Sequence, residues 1–452
     1  MHATQSFGPF FSAIKAAPLP AEVLHHAKRA LVDWHAALFP GIGTEAVQRL
    51  QRVLEEELDR GNATLPMGRR ATCRAAALLN GAAAHAAEID DSFRDAMYHP
   101  GAATIAAAIV AAQEAGASGE TLLKGVVVGY EVSTRIGVVL GRAHYRFWHS
   151  TATVGTFGAA AAAAYILGAT EEQLAHALAT AATFAAGLQQ AFRMDSMSKP
   201  LHAGRAAEGG WLAARGAIAG ITGSLDVLDG ETGMGRAMSD HPDWGTLAST
   251  LGKDFHICRL TFKNHIGCGH TFAAIDGALA LKAEMGIEAA HIRRIRVATY
   301  RPALDIACYL DPRNENEAKF SLKYIVAAAL VHGSVRLSAY TPECLWQTQT
   351  RRLMDCMTVE VDDELDGWFP GRRAARITIE TVDGGTAHYL QPNRKGDPED
   401  PLSDSDLEGK LIELASPVIG AGEARRLAQT IWHLEQQPVA GLIWSATPAG
   451  SR

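Results

Sequence analysis

The sequence predicts a mainly α protein: a large helical domain over residues 1–260, a smaller α+β domain over 261–400, and helices over 401–452 that return to the first domain. Three observations predict it. Ala-rich runs with apolar residues three and four apart fill the first half, and Ala loses no side-chain entropy in a helix while letting backbones approach. From residue 291 the pattern changes to alternation of β-branched residues, as in ARITIETVDGGTAHYL. Beyond the proline-rich PNRKGDPEDPL, helical spacing resumes. A chain of 452 residues also exceeds what one hydrophobic core usually organises.

Taken in order, PAEVLHHAKRALVDWHAALF puts Val23, Leu24, Ala27, Leu31, Trp34 and Leu38 on one stripe, a core helix begun by Pro20. Helices are expected over 47–58, 71–92, 102–116 and 119–140, most bounded by Gly or Pro. Between two of them lies HAAEIDDSFRDAMYHPG, residues 85–101. If 82–92 is helical, Glu88, Asp91 and Ser92 fall at i, i+3 and i+4, with His85 one turn earlier on the same side. That face would carry a base, two acids and a hydroxyl. His99-Pro100-Gly101 then reads as a helix start, because the missing N–H of a proline has no helical partner in the first turn. A solvated acidic turn with a capping histidine is the plainer reading of the same residues.

His149 precedes Ser150 and Thr151 at the head of HSTATVGTFGAAAAAA, where Gly155 and Gly158 suit close helix packing. No GxGxxG or GxxxxGK[ST] occurs there, so a nucleotide site is rejected. In MDSMSKPLHAGRAAEGGW, Lys199 is followed by His202 and Arg205 near a helix N-terminus, whose free N–H groups and dipole favour an anion. The segment FKNHIGCGHTFAAIDG gathers Lys263, His265, Cys268 and His270 before another helix. No fourth zinc ligand is evident and the spacing matches no standard site, so acid–base work or carboxylate binding is expected there rather than metal. HIRRIRVATY and MTVEVDDEL read as strands, ARITIETVDGGTAHYL as a hairpin turning at Asp-Gly-Gly, and NEAKFSLKYIVAAALVHG as helix.

A formal charge of −7 and a pI near 6.2 give no general attraction to nucleic acid or anionic membrane. An anionic substrate must then meet a local basic cluster. Six cysteines without a CxxC pair argue against an iron–sulfur cluster or zinc ribbon and for a reducing compartment. The N-terminus has no signal-peptide pattern and no run spans a membrane, so a cytoplasmic location is expected.

Several stretches, in this order, resemble the MmgE/PrpD family, which includes 2-methylcitrate dehydratase, cis-aconitate decarboxylase and iminodisuccinate epimerase. They are EIDDS followed by HPG, GYEVSTRIG, HSTATVGTFGAAAAAA, SKPLHAGRAAEGG, ITGSLDVLDGETG, KNHIGC, EAKFSLKYIVAAAL and PNRKGDPEDPLSDSDLEGK. The resemblance implies an all-helical domain made by both chain ends, an α+β lid, a homodimer, and catalysis without a cofactor or metal. It implies catalytic roles for Glu88, His99, His149, Lys199 and Lys263. It also implies substrate contacts from Ser92 and His202 and places a lid tyrosine at Tyr309, while Asp91 is a substrate-binding candidate from its own chemistry. Arg205, His265 and Cys268 complete the candidate binding set from their own chemistry. Glu88 stands where Asp is commoner, Ser92 where Thr is, and His265 where an aromatic is common; the spacer from Ser92 to His99 is longer than in the decarboxylases.

The expected chemistry is α-proton abstraction on a small polycarboxylate. Negative charge builds beside an existing carboxylate, so fixed cations and hydrogen-bond donors must stabilise it, while imidazoles move the proton. Water elimination of the 2-methylcitrate dehydratase type is the leading expectation. Epimerisation of the iminodisuccinate type, suggested by the altered KNHIGCGH segment, and decarboxylation of the cis-aconitate type are the alternatives. A non-catalytic helical binding protein is the remote one.

Overall fold

The computed structural model describes residues 1–192 and 196–438; the start of the 194–211 stretch and the far end of the 401–452 segment lie outside them. The chain is mainly helical and divides into two units, Met1–Thr261 with the segment from Ser403 onward, and Phe262–Leu402.

The first unit is built around helix Ser150–Ile166, every residue of which is buried. Its sequence carries no charge, as a helix surrounded on all sides requires. A Cβ at Gly158 would overlap Thr104 Oγ1 and lie 2.8 Å from Ser133 Oγ. The helix therefore touches both Pro100–Ala115 and Gly119–Tyr145 at backbone distance, the close approach that its glycines suggested. Helices Cys73–Ala86 and Ser198–Ile218 cross equally tightly: a Cβ at Gly81 would stand 2.9 Å from the Ala203 carbonyl oxygen. This crossing brings the end of one helix beside the start of the other. On the far side, helix Asp404–Ile419 meets helix Ala21–Ile42 through a fully buried pair, Lys410 Nζ to Asp33 Oδ1 at 2.6 Å.

Three expected helices differ in extent. The 47–58 helix is Glu45–Val53, followed by a 3-10 turn Glu55–Glu57 and strand Leu58–Thr64, which pairs with Arg70–Ala71. Glu55, Glu56, Glu57 and Asp59 crowd like charge onto one turn, which a helix would place side by side. The 119–140 helix runs on to Tyr145 across a break at Gly141, whose φ is 62°. The 71–92 helix is Cys73–Ala86. Glu88 takes a left-handed φ of 59°, and beyond it Ser92 exchanges backbone bonds with Thr261. The i, i+3, i+4 face drawn over 82–92 is therefore a turn.

The second unit holds a four-stranded sheet ordered Met357–Val361, Ile292–Thr299, Ala375–Thr381, Thr386–Gln391. The first pair is parallel and the others antiparallel, with the expected hairpin closing the sheet. Ala375, Ile377 and Ile379 alternate inward, and Ile295 and Val297 oppose Ile379 and Ile377 in register. Helices Phe272–Met285 and Leu322–His332 cover that face. NEAKFSLKYIVAAALVHG forms two helices, Glu315–Lys319 and Leu322–His332, because Ser321 caps the second through the Tyr324 amide. Among the described residues no helix is long and apolar enough to cross a membrane.

Candidate active site

Four helix ends of the first unit carry the candidate residues. His85 lies in the last turn of Cys73–Ala86, His99 and His149 occupy the N-cap positions of Pro100–Ala115 and Ser150–Ile166, and Lys199 and His202 lie in the opening turns of Ser198–Ile218. Neither N-cap histidine spends its side chain on its own helix. The rings form a row instead: centroids are 5.0 Å apart for His99–His85, 5.5 Å for His85–His149 and 5.1 Å for His149–His202.

Hydrogen bonding decides where the protons of this row sit. His99 Nδ1 lies 2.6 Å from the Asp91 carbonyl oxygen. A carbonyl only accepts, so Nδ1 carries the proton and Nε2 of the neutral ring is bare. His85 Nδ1 donates to Asp90 Oδ2 at 2.8 Å, and its buried Nε2 has no hydrogen-bond partner among the described residues. His149 and His202 face each other Nδ1 to Nδ1 at 2.9 Å. One of the two must donate, so whichever does, the neutral pair presents one Nε2–H and one bare Nε2. Burial, reinforced by His85 and Lys199, holds both of these rings below the usual imidazole pKa, His149 furthest. Both are uncharged at neutral pH.

The open end of the row carries charge. Lys199 Nζ pairs with Glu88 Oε1, both side chains partly exposed, and Nζ lies 5.1 Å from the centre of the Phe192 ring. Phe192 meets His149 edge-on at 4.7 Å. A cation, a carboxylate, an apolar ring and neutral imidazoles thus share one wall.

Asp91 does something other than the substrate contact expected of it. Its Oδ1 accepts from the Gly101 amide at 3.0 Å, and its Oδ2 accepts from Tyr130 Oη at 2.7 Å. Burial, with Asp33 nearby, pushes its pKa up to about 8. Asp91 therefore holds the start of the His99 helix and, through its carbonyl, the His99 ring. The glycine of HPG is required for this: a Cβ at Gly101 would stand 2.6 Å from Tyr130 Oη and 2.9 Å from Asp91 Oδ1.

The basic trio at 199–205 separates in the same way. Lys199 and His202 reach the row, but Arg205 pairs with Glu208 and lies over the Phe184 ring. A residue six positions after Lys199 has turned well away around the helix. Ser92 contributes its backbone to the bridge with Thr261. The residue that touches the imidazoles and was missed is Asp90; its one sequence signal is the acidic doublet five residues after His85. Phe192 and Tyr130 carried no local signal.

Lys263, His265, Cys268, His270 and Tyr309 belong to the second unit. His265 Nε2 is bound to Asp276 Oδ1 at 2.9 Å, and Asp276 Oδ2 accepts from the Lys395 amide. These contacts hold the buried His265 ring by Nε2 and leave its Nδ1 without a hydrogen-bond partner among the described residues. Burial raises the Cys268 thiol to about 11, so it stays protonated at neutral pH. His270 bonds Tyr300 Oη at 2.9 Å and is lowered to about 4 by burial beside Arg373 and Arg394. Tyr309 is 43% exposed.

As for metal ions, ligand atoms of His85, Asp90 and His99 lie within 4.8 Å of one another, as do those of Glu22, His26 and Cys258. In the first group His85 Nδ1 and His99 Nδ1 are already spent on Asp90 and the Asp91 carbonyl.

A row of oriented imidazoles beside a lysine–carboxylate pair is the equipment of an enzyme that moves protons on an anionic substrate. The MmgE/PrpD N-terminal domain model matches residues 5–247, and the C-terminal domain model matches residues 265–436. The chain belongs to the MmgE/PrpD family and is a lyase of that type. It is 29% identical to a cis-aconitate decarboxylase-like protein of Aspergillus oryzae, covering 93% of this chain and 92% of that one. The cis-aconitate decarboxylases of Mus musculus and Homo sapiens are each 27% identical, over 96% of this chain and 90% and 92% of theirs.

Proposed function

We propose that the protein removes carbon dioxide from an unsaturated tricarboxylate of the cis-aconitate type. The observation that carries this reading is the wall made by Lys199, Glu88, Phe192 and the neutral His149–His202 pair. Lys199 provides a fixed cation for a substrate carboxylate. In the reaction, the bond to the carboxylate on the CH2 carbon breaks and its electrons form a terminal double bond. The original double bond shifts its pair to the far carbon, which takes one proton. The Nε2–H of the histidine pair is suited to deliver that proton, and solvent restores it. No hydroxyl leaves, so no strongly acidic group is needed; this suits rings held uncharged at neutral pH.

Elimination of water, the leading expectation from the sequence, remains the second reading. It is favoured by one feature, the tautomer of His99, which the Asp91 carbonyl fixes with the proton of the neutral ring on Nδ1 and none on Nε2. Epimerisation, suggested by the altered KNHIGCGH segment, is the third reading; in that segment His265 Nε2 is engaged by Asp276.

Proton NMR in deuterated water separates these reactions. With cis-aconitate, decarboxylation yields a product with two vinyl protons and one deuterium in its saturated CH2. Formation of an alkene from citrate or methylcitrate, with cis-aconitate inert, would replace this reading with the dehydratase. Deuterium uptake by an aminodicarboxylate without loss of carbon would point to the epimerase.

A further inference from the structure

The loop that carries Glu88, Asp90 and Asp91 is held from behind by a residue more than three hundred positions away. Lys410 Nζ, with no exposed surface, donates to the Ile89 carbonyl at 2.8 Å and to Asp33 Oδ1 at 2.6 Å. Ile89 lies between Glu88, which pairs with Lys199, and Asp90, which orients His85. Asp91, the next residue, holds His99 and the amide of Gly101.

We infer that Lys410, aimed by Asp33, is a positioning residue that sets the register of the 88–91 loop against the histidine row. Removing two charges from water is costly, and well-packed apolar residues of similar volume often stabilise a fold as well or better. The pair is thus poorly explained as a source of stability. Its distinctive contribution is an ammonium N–H delivered to one backbone carbonyl, at a point where Glu88 holds a left-handed φ of 59° and the chain must present three acids in three directions. The loop has no helix or strand to fix its dihedrals, so such a donor determines where its side chains point. Helix Asp404–Ile419, which makes none of the imidazole contacts described above, thereby becomes part of the catalytic apparatus.

The test is the double variant Asp33→Leu with Lys410→Met, which removes both members of the pair together, alongside Lys410→Arg, which keeps a cationic donor. Circular dichroism and thermal melts report folding. Deuterium exchange of the peptide spanning 87–92, followed by mass spectrometry, reports the loop without any substrate. Turnover of cis-aconitate, which rests on the decarboxylase reading, reports its consequence. The expected result is a folded double variant with faster exchange in 87–92. Its kcat should be lower by about a hundredfold, the scale of an ångström-sized misplacement, with KM little changed and Lys410→Arg recovering part of the loss. Should wild-type protein not turn over cis-aconitate, the function reading fails while the exchange comparison still decides the loop. Unchanged exchange in a folded double variant would overturn the inference. So would a double variant that fails to fold, since the pair would then be a stability element.

Discussion

Replacing Gly101 by Ala adds one methyl group at the joint that holds His99. An ideal Cβ there lies 2.6 Å from Tyr130 Oη and 2.9 and 3.1 Å from the two Asp91 oxygens. None of these atoms ends a free, flexible chain: Tyr130 and Asp91 are buried and bonded to each other at 2.7 Å. Relief requires opening that bond or the one from the Gly101 amide, 3.0 Å long. Overpacking costs about 1–3 kcal/mol, and a buried acceptor stripped of its donor costs about 1–3 kcal/mol more. Against this, Ala is favoured over Gly in a helix by about 1 kcal/mol. The net loss is about 3 kcal/mol, or roughly 5 °C in Tm at an unfolding entropy of about 2.1 cal/mol/K per residue over a unit of about 300 residues. Because the Asp91 carbonyl also holds His99, whose ring packs on His85 and through it on His149 of the proton-delivering pair, turnover should fall by about a hundredfold even well below the melting range. Gly422→Ala is the control, since a Cβ at Gly422 meets nothing within 4 Å. Melting by circular dichroism and turnover by NMR check both halves. A Gly101→Ala protein that melts and turns over like Gly422→Ala would refute the clamp.

Two predictions concern pH. Burial raises the folded pKa of Asp91 to about 8, above its unfolded value, so its stabilising contribution is fully present below about pH 4 and is lost as pH rises towards about 8. The stability of wild type relative to Asp91→Asn, measured by urea unfolding, should therefore decline across that window; a difference that grows with pH would contradict a neutral buried Asp91. His149 is shifted the other way, below the ordinary imidazole value by burial beside His85. Its contribution to stability is present above about pH 6.5 and is lost as pH falls through its folded pKa, and His149 in isotope-labelled protein should remain neutral at pH 6. An imidazolium signal assigned to His149 at that pH would remove the neutral pair from the argument.

Much of this molecule was legible along the chain, for a physical reason. Helix Ser150–Ile166 announces itself because a helix buried on all sides must be apolar and small throughout. The hairpin at Thr381–Thr386 does so because period two and a glycine turn are local properties. His99 and His149 were found because a histidine ahead of a helix start is also a local pattern. What the chain conceals is direction. Glu88, Asp90 and Asp91 fall within four residues and have identical chemistry at the level of composition, yet one faces Lys199, one His85 and one Tyr130. Helical spacing assigned two of them to one face because it assumed that the helix continued past Ala86. The helix stops at a left-handed residue, and the partner of the next carbonyl, Lys410, is supplied by a helix near the other end of the chain.

That separation bears on how substrate choice can change within such a fold. The imidazole row is fixed by helix termini packed at backbone distance, where even a methyl group is excluded at Gly81 and Gly101. The acids beside it sit on a short turn held by the side chains of Lys410 and Tyr130 from other helices. Substitutions on that turn, such as Glu88→Asp, can therefore re-aim a carboxylate against Lys199 without repacking the helices that carry the histidines. On the proposed reading, proton transfer by the row would then be preserved while the surroundings of the Lys199 cation change.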